Sequence, residues 1–392
     1  MSKCTTKMTL EEKEVAILRD AVDVSEKRKG NTLPSPTQPI LDIIDLSITL
    51  PDRADRRYAV DNVSLTLNRG EILCVVGESG SGKSVMTSAV LNDIAKPLKV
   101  ESGQVIFDGK DVLKLSQNEL NKLRGARISM IYQEPMAALN PAVKIGKQVE
   151  EVFSLHRPEI SAPQRKIETI QLLEQMKLPT PERIYASYPH QVSGGQCQRI
   201  VIAMALACNP DILIADEPTT ALDVTTQAEI LRLIQDLKEV YDNGTIFITH
   251  DFGIVADIAD RVAVMCQGKI IEQGSKQEIL MHPKEPYTKL LVDAMPLLET
   301  TRTPDLGRDD KPVLEVKSLH KIYGATSTKV HALNDASFVL RKGETLGVVG
   351  ESGSGKSTLA KTLIRLIEPT SGSVMINHQD FLALSDRDLV KA

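Results

Sequence analysis

Gly77-Glu-Ser-Gly-Ser-Gly-Lys83-Ser84 stands at the end of a short apolar run, Glu71–Gly77 (EILCVVG). The octet matches GxxxxGK[ST], a loop that follows a strand and opens a helix. Its spacing has a physical cause. Glycines permit backbone angles that turn successive N–H groups inward around phosphate oxygens. A helix beginning after the loop adds the positive end of its dipole. Lys83 supplies a point charge for the β- and γ-phosphates, and the Ser84 hydroxyl is suited to ligate Mg²⁺. Gly77, Glu78, Ser79, Gly80, Ser81, Gly82, Lys83, Ser84 and the following Val85 are therefore the candidate nucleotide-binding residues.

Outward from this loop, the chain repeats itself. Leu41–Leu91 lies on Leu314–Ile364 without a gap, and Gly77–Ser84 recurs unchanged as Gly350–Ser357. Further on, Ser102-Gly103 aligns with Ser371-Gly372, and Leu113 with Leu382. A period so long excludes a solenoid and implies two homologous globular domains in tandem. The second set of candidate nucleotide-binding residues is Gly350, Glu351, Ser352, Gly353, Ser354, Gly355, Lys356, Ser357 and Thr358. The expected organisation is an N-terminal extension over 1–40, a complete domain over 41–298, a linker over 299–313 rich in Thr, Asp, Pro and Gly, and the opening part of a second domain over 314–392. In the extension, Leu10, Val15, Leu18 and Val22 could line one helical face; a flexible, solvated tail is the other reading.

Composition narrows the class. Of the 392 residues 42% are apolar, enough for sizeable cores, and the net charge is −5. A mildly acidic chain with few aromatics and no Trp fits neither a nucleic-acid backbone nor a base-stacking surface. The cysteines Cys4, Cys74, Cys197, Cys208 and Cys266 form no CxxC, so free thiols are expected. The N-terminus has no apolar core of a signal peptide, and no apolar run is long enough to span a bilayer. At a membrane, other chains would have to supply the spanning part.

Beyond the loop, Asp211–Asp216 (DILIAD) and Thr245–Thr249 (TIFIT) are further short apolar runs, separated by helical patterns such as Gln227–Val240. Such runs indicate a parallel sheet covered on both faces. Leu41–Leu50 and Val60–Leu67 tend to alternation, as a flanking antiparallel sheet would, and Pro163–Met176 reads as an amphipathic helix. Four more segments occur in order: Ile131-Tyr-Gln133-Glu-Pro-Met-Ala-Ala-Leu-Asn-Pro141, Val192-Ser-Gly-Gly-Gln-Cys-Gln-Arg199, Ile212–Asp223 (ILIADEPTTALD) and Ile248-Thr-His250-Asp. Asp216 ends an apolar strand, so its carboxylate lies at the sheet's C-terminal edge, able to hold Mg²⁺ directly or through water. Glu217 can orient and deprotonate an attacking water. Gln133 offers an amide to that water or to the metal, and His250 can hydrogen-bond the γ-phosphate. Ser193, Gly194, Gly195 and Gln196 open a helical run whose hydroxyl and N–H groups suit a γ-phosphate.

These segments resemble the Q-loop, signature, Walker B with D-loop (Asp223), and switch histidine of the ABC ATPase family, over roughly Leu41 to Pro296. The resemblance implies an α/β fold: a P-loop NTPase with a mostly parallel core sheet, an antiparallel β subdomain and a helical subdomain, the second copy being incomplete. It implies ATP and Mg²⁺ as ligands, with Glu217, His250 and Gln133 catalytic, and Ser84, Gln133 and Asp216 at the metal. In the family the signature faces the nucleotide of an opposite domain, so a homodimer or pairing with another ATP-binding domain is implied. The family usually stacks adenine on an aromatic; the repeat puts Tyr323 there in the second copy but Leu50 in the first. Either Tyr58 substitutes or stacking is weak.

Gly77–Val85, Gln133–Pro141, Tyr188-Pro-His-Gln191 and His282–Leu291 (HPKEPYTKLL) are similar to the peptide and nickel importer subfamily, whose fused tandem members include glutathione- and microcin-type importers. That implies an ATPase energising import of peptide-like solutes at the cytoplasmic face of a bacterial inner membrane. Two membrane permease subunits and a periplasmic solute-binding protein would be its partners, with no nucleic acid involved. Within 314–392 the later motifs are missing, so this copy is expected neither to hydrolyse ATP nor to be stable by itself. The competing readings are a soluble tandem ABC ATPase acting on ribosomes or nucleic acid, which generally carries a longer charged linker, and an inactive remnant.

Overall fold

The computed structural model describes residues 39–220, 222–294, 312–324, 329–351 and 353–385. The extension up to residue 38, the linker from 299 to 311 and Ser352 lie outside them. The described residues separate into two compact units, most of those up to 294 in one and those from 312 onward in the other.

The first unit is built on two sheets. Its strands are β1 (Leu41–Thr49), β2 (Tyr58–Leu67), β3 (Ile72–Val76), β4 (Lys99–Phe107), β5 (Lys110–Asp111), β6 (Ile128–Ile131), β7 (Ile212–Asp216), β8 (Gly244–Thr249), β9 (Arg261–Cys266) and β10 (Lys269–Ser275). The larger sheet has the order β10-β9-β3-β8-β7-β6 and is parallel from β9 to β6, with β10 antiparallel at one edge. Every residue of β3 is buried, as a strand covered on both faces requires. Its side chains divide by the pleat. Ile72, Cys74 and Val76 enter one core with Ala215 and Phe247, while Leu73 and Val75 enter another with Ile214, Ile246 and Ile248. The second core is closed by the smaller antiparallel sheet, order β2-β1-β4-β5, through Leu41, Ile43, Val63 and Leu65. The alternation read in the sequence is plain in β2, where Val63, Leu65 and Leu67 are buried between exposed Ser64 and Thr66.

The helices are α1 (Lys83–Val90), α2 (Gln117–Leu123), α3 (Pro135–Ala138), α4 (Ile145–His156), α5 (Ala162–Gln175), α6 (Pro181–Ala186), α7 (Gly194–Leu206), α8 (Val224–Tyr241), α9 (Phe252–Ile258), α10 (Lys276–Met281) and α11 (Pro286–Asp293). The amphipathic pattern over Pro163–Met176 forms α5, and that over Gln227–Val240 lies inside α8. Among the described residues no helix is long and apolar enough to cross a membrane.

Strand register sets the site. Val76 of β3 is level with Thr249 of β8, Asp216 of β7 with Ile248, and Ile131 of β6 with Ala215. Four parallel strands thus end along one edge, and each is followed by one of the candidate segments.

The second unit has an antiparallel sheet of β11 (Pro312–Tyr323), β12 (Val330–Arg341), β13 (Ser371–Ile376) and β14 (Gln379–Asp380), in the order β12-β11-β13-β14, with helix α12 (Lys356–Leu363). Its core is small: Val316, Leu319, Leu333 and Val374 are buried. Leu346, Val348 and Val349, the counterparts of Leu73, Val75 and Val76 in β3, are 43%, 50% and 93% exposed.

Candidate active site

The loop between β3 and α1 is shaped by glycines that no other residue could replace. Gly77 has φ +152° and Gly82 φ +106°. A Cβ on Gly77 would lie 2.1 Å from the Met265 carbonyl oxygen, and one on Gly82 2.2 Å from that of Ala59. The loop is therefore seated directly on β9 and β2. Gly268 N–H donates to Ser81 O at 2.8 Å and pins it from the β9–β10 turn. Lys83 is 5% exposed. Its ammonium donates to Gly77 O at 2.7 Å, Glu78 O at 2.8 Å and Ser81 Oγ at 3.4 Å. Burial pushes the Lys83 ammonium below the usual lysine value, against the pull of the Glu217 and Asp216 carboxylates.

Asp216 ends β7 beside the start of α1. Burial raises its carboxyl above the ordinary aspartate value, the Ser84 hydroxyl opposes that by hydrogen bonding to it, and neighbouring Glu217 adds to the rise. Glu217 itself has φ +45°, a left-handed conformation unusual for a long side chain. Its N–H donates to Ile248 O at 3.1 Å, which ties the turn to β8. The side chain becomes a hub. Gln133 Nε2 and Thr220 Oγ1 each donate to Glu217 Oε2 at 3.0 Å, and His250 Nδ1 lies 3.3 Å from Oε1. Three candidate segments, read separately in the sequence, thus meet on one carboxylate. Thr220 was not among the residues singled out; its place three after Glu217 was the available signal.

Ser193 caps α7. Its hydroxyl accepts from Gln196 N–H at 3.3 Å, and Gln196 Oε1 accepts from Ser193 N–H at 3.0 Å, a capping box. Gly195 is required by packing, since a Cβ would lie 2.4 Å from Thr226 Cγ2; at Gly194 a Cβ would meet nothing within 4 Å. Cys197 is fully buried, its thiol 3.3 Å from Met136 Sδ on α3, and burial raises its pKa. Cys74 and Cys208 are also buried and Cys266 is half-buried, and none of the three is in a disulfide. Asp223 immediately precedes α8.

Tyr58 is paired across the strands with Thr49, and the following residue, Leu50, donates its N–H to Arg57 O at 2.9 Å. The Arg57 guanidinium stands 4.9 Å from the Tyr58 ring centroid. Arg56 links this corner to the loop, donating from Nε to Tyr58 O at 2.9 Å and from Nη2 to Gly80 O.

In the second unit Lys356 donates to Gly350 O at 2.6 Å, Glu351 O at 2.7 Å and Ser354 Oγ at 3.4 Å. This is the cage of Lys83 again, formed beside exposed residues. Tyr323 is 40% exposed, with the Lys321 ammonium 5.1 Å from its ring centroid.

The chain is 42% identical to the glutathione import ATP-binding protein GsiA of Salmonella choleraesuis (strain SC-B67), over 88% of this chain and 61% of that protein. It is 45% identical to the peptidoglycan transport ATP-binding protein YejF of Agrobacterium fabrum, over 84% of this chain and 61% of that one. The chain thus spans 61% of the length of these curated relatives. Among solved structures, the ATP-binding cassette MJ0796, as a post-hydrolysis dimer bound to ADP and Pi, matches with a TM-score of 0.54 at 29% identity, over 60% of this chain and 98% of that one. The protein cbiO1 from Clostridium perfringens, part of the transporter complex cbiONQ, matches with a TM-score of 0.53 at 28% identity, over 62% and 91%. The family model for ABC transporters covers residues 60–220 and 333–391. With more than half of its residues matched and a cassette fold to carry them, the chain belongs to the ABC transporter family.

Proposed function

We propose that this chain binds and hydrolyses ATP to energise an importer of peptide-like solutes. The observation that carries the chemistry is the hub at Glu217, where Gln133, Thr220 and His250 converge beside Lys83, Ser84 and Asp216. The loop Gly77–Ser84 would cradle the phosphates, Lys83 exchanging loop carbonyls for phosphate oxygens. Glu217 would take the proton of the attacking water as the oxygen–phosphorus bond forms and the β–γ bridging bond breaks. Gln133 and His250 hold that carboxylate in place, so positioning and charge stabilisation would come from one cluster. The Ser84 hydroxyl and the Asp216 carboxylate are hard oxygen donors already in contact. A cation held there would draw on these few protein oxygens and on the phosphates themselves. Mg²⁺ there would neutralise charge developing on the β- and γ-phosphates. Tyr58, paired with Thr49 and joined to the loop through Arg56, is the ring we assign to adenine.

Ser193–Gln196 would serve the nucleotide of a paired domain, a reading supported by the open space at Gly194 and by the dimeric MJ0796 cassette. GsiA is named for glutathione import and YejF for peptidoglycan transport; both compounds contain short peptide chains, which supports a peptide-like solute here. The helical region from α3 to α6 would receive permease subunits at the cytoplasmic face of the inner membrane, with a periplasmic binding protein delivering the solute. Phosphate release by Glu217→Gln tests the chemistry. Turnover should fall by about 10²–10⁴-fold while ATP stays bound. A variant that turns over like wild type removes Glu217 from the mechanism, and co-purification with ribosomes instead of permeases removes the importer.

A further inference from the structure

His282–Leu291 (HPKEPYTKLL) is a motif that the chemistry above leaves without a task. It folds as a turn leading into α11. Glu272 on β10 accepts from Lys284 N–H at 2.8 Å and from Glu285 N–H at 3.1 Å. Two donors ahead of the helix are thereby satisfied, and its start is tied to the sheet. Pro286 takes the first helical position, where a fixed φ costs nothing and no N–H is needed. The next residue is thus delivered to the phosphate loop. Tyr287 packs its ring against the core that holds Ile72 and Val76. Its hydroxyl oxygen accepts from Glu78 N–H at 3.3 Å. The Cys266 thiol, at the end of β9, is a further polar neighbour of that hydroxyl.

Glu78 is the second residue of the loop, and its carbonyl is one of the three acceptors of Lys83. One residue is therefore held from both sides, by the lysine at its carbonyl and by the tyrosine at its amide. The second unit shows that the lysine cage closes from local sequence. The bond from Glu78 adds something the cage does not supply: it fixes the entry of the loop against the sheet edge and α11.

We propose that Tyr287 is a positioning residue for nucleotide binding, setting the first half of the phosphate loop through Glu78 N–H, with Glu272 and Pro286 as its mount. The proposal rests on the nucleotide-binding reading of Gly77–Ser84. Tyr287→Phe deletes the hydroxyl and keeps the packed ring, and Lys83→Ala serves as the control for the site itself. Both are made in the full chain and titrated with a fluorescent ATP analogue and Mg²⁺. Tyr287→Phe should weaken binding about fivefold, the worth of one ordinary hydrogen bond. KM for ATP should rise by the same factor with kcat held, since the loop binds ground and transition states alike. Amide exchange at Glu78 should quicken while β3 keeps its protection. Wild-type affinity in Tyr287→Phe overturns the proposal. So does a loss of affinity accompanied by lost protection in β3, because the tyrosine would then be holding the fold and not the loop. If Lys83→Ala binds the analogue like wild type, the site reading itself has failed; if only Tyr287→Phe is silent, the positioning role alone has failed.

Discussion

Glu217 shows what one residue costs and returns. A non-glycine side chain at φ +45° is strained by about 1–2 kcal/mol, and such strain persists where surroundings over-determine it. Here the amide bond to Ile248 and the three partners of the carboxylate do so. Asp216 makes the complementary point through charge. Its carboxyl is raised chiefly by burial, so folding favours the protonated form more than the unfolded chain does. That preference is a stabilisation present in full below the ordinary aspartate value and lost as pH rises through the higher folded one. Asn at this position removes the penalty of ionisation. Free of nucleotide and metal, Asp216→Asn should melt higher than wild type at pH 7, by roughly 2 °C. The gain should shrink to nothing as pH falls towards about 4, while ATP hydrolysis is lost at every pH. Thermal unfolding across that range checks it; a variant melting at or below wild type at pH 7 would mean that burial is not what raises the carboxyl.

Helices and strands carry a different kind of constraint, seen where α4 meets α6. Gly146 lies in the first turn of α4, where a glycine costs helix propensity. Its reason is the neighbour: a Cβ would sit 2.1 Å from Cδ2 of Tyr185 on α6. The ring is held in place, because its hydroxyl bonds to Glu150, which Lys147 pairs at 2.6 Å. In an exposed helix Gly→Ala gains up to about 1 kcal/mol; Gly146→Ala should instead destabilise by about 1–3 kcal/mol through overpacking. Urea unfolding decides between the two signs. The same contrast explains how far the sequence could be read. The phosphate loop was legible because its glycines, lysine and strand lie within a dozen residues, and its cage forms twice, at Lys83 and at Lys356. The antiparallel sheet was legible from alternation over Val60–Leu67. Gly146 was not, since its reason is a ring on another helix. The hub at Glu217 was only half legible: the residue types could be named, but their meeting depends on the registers of β6, β7 and β8, and Tyr287 reaches Glu78 from the far end of the unit.

At the scale of the whole molecule, the two halves of the proposed engine do different jobs. Lys83, Asp216 and Glu217 gather along one strand edge, while Ser193 and Gln196 spend their hydrogen bonds on each other and leave Gly194 facing open space. If pairing of two first units brings the signature of one chain to the phosphate loop of the other, defects in the two halves must complement. Chains carrying Lys83→Ala should be inactive alone, and so should chains carrying Ser193→Arg, whose bulk fills the approach. Mixed one to one and allowed to exchange, they form symmetric pairs and hybrids, and each hybrid holds one intact site built from the wild-type loop of one chain and the wild-type signature of the other. Phosphate release should then return, up to about a quarter of the wild-type rate for random pairing in a two-fold dimer. A mixture as dead as its components, with hybrids demonstrably formed, would place Ser193 outside the reacting site and leave the capping box as its whole role.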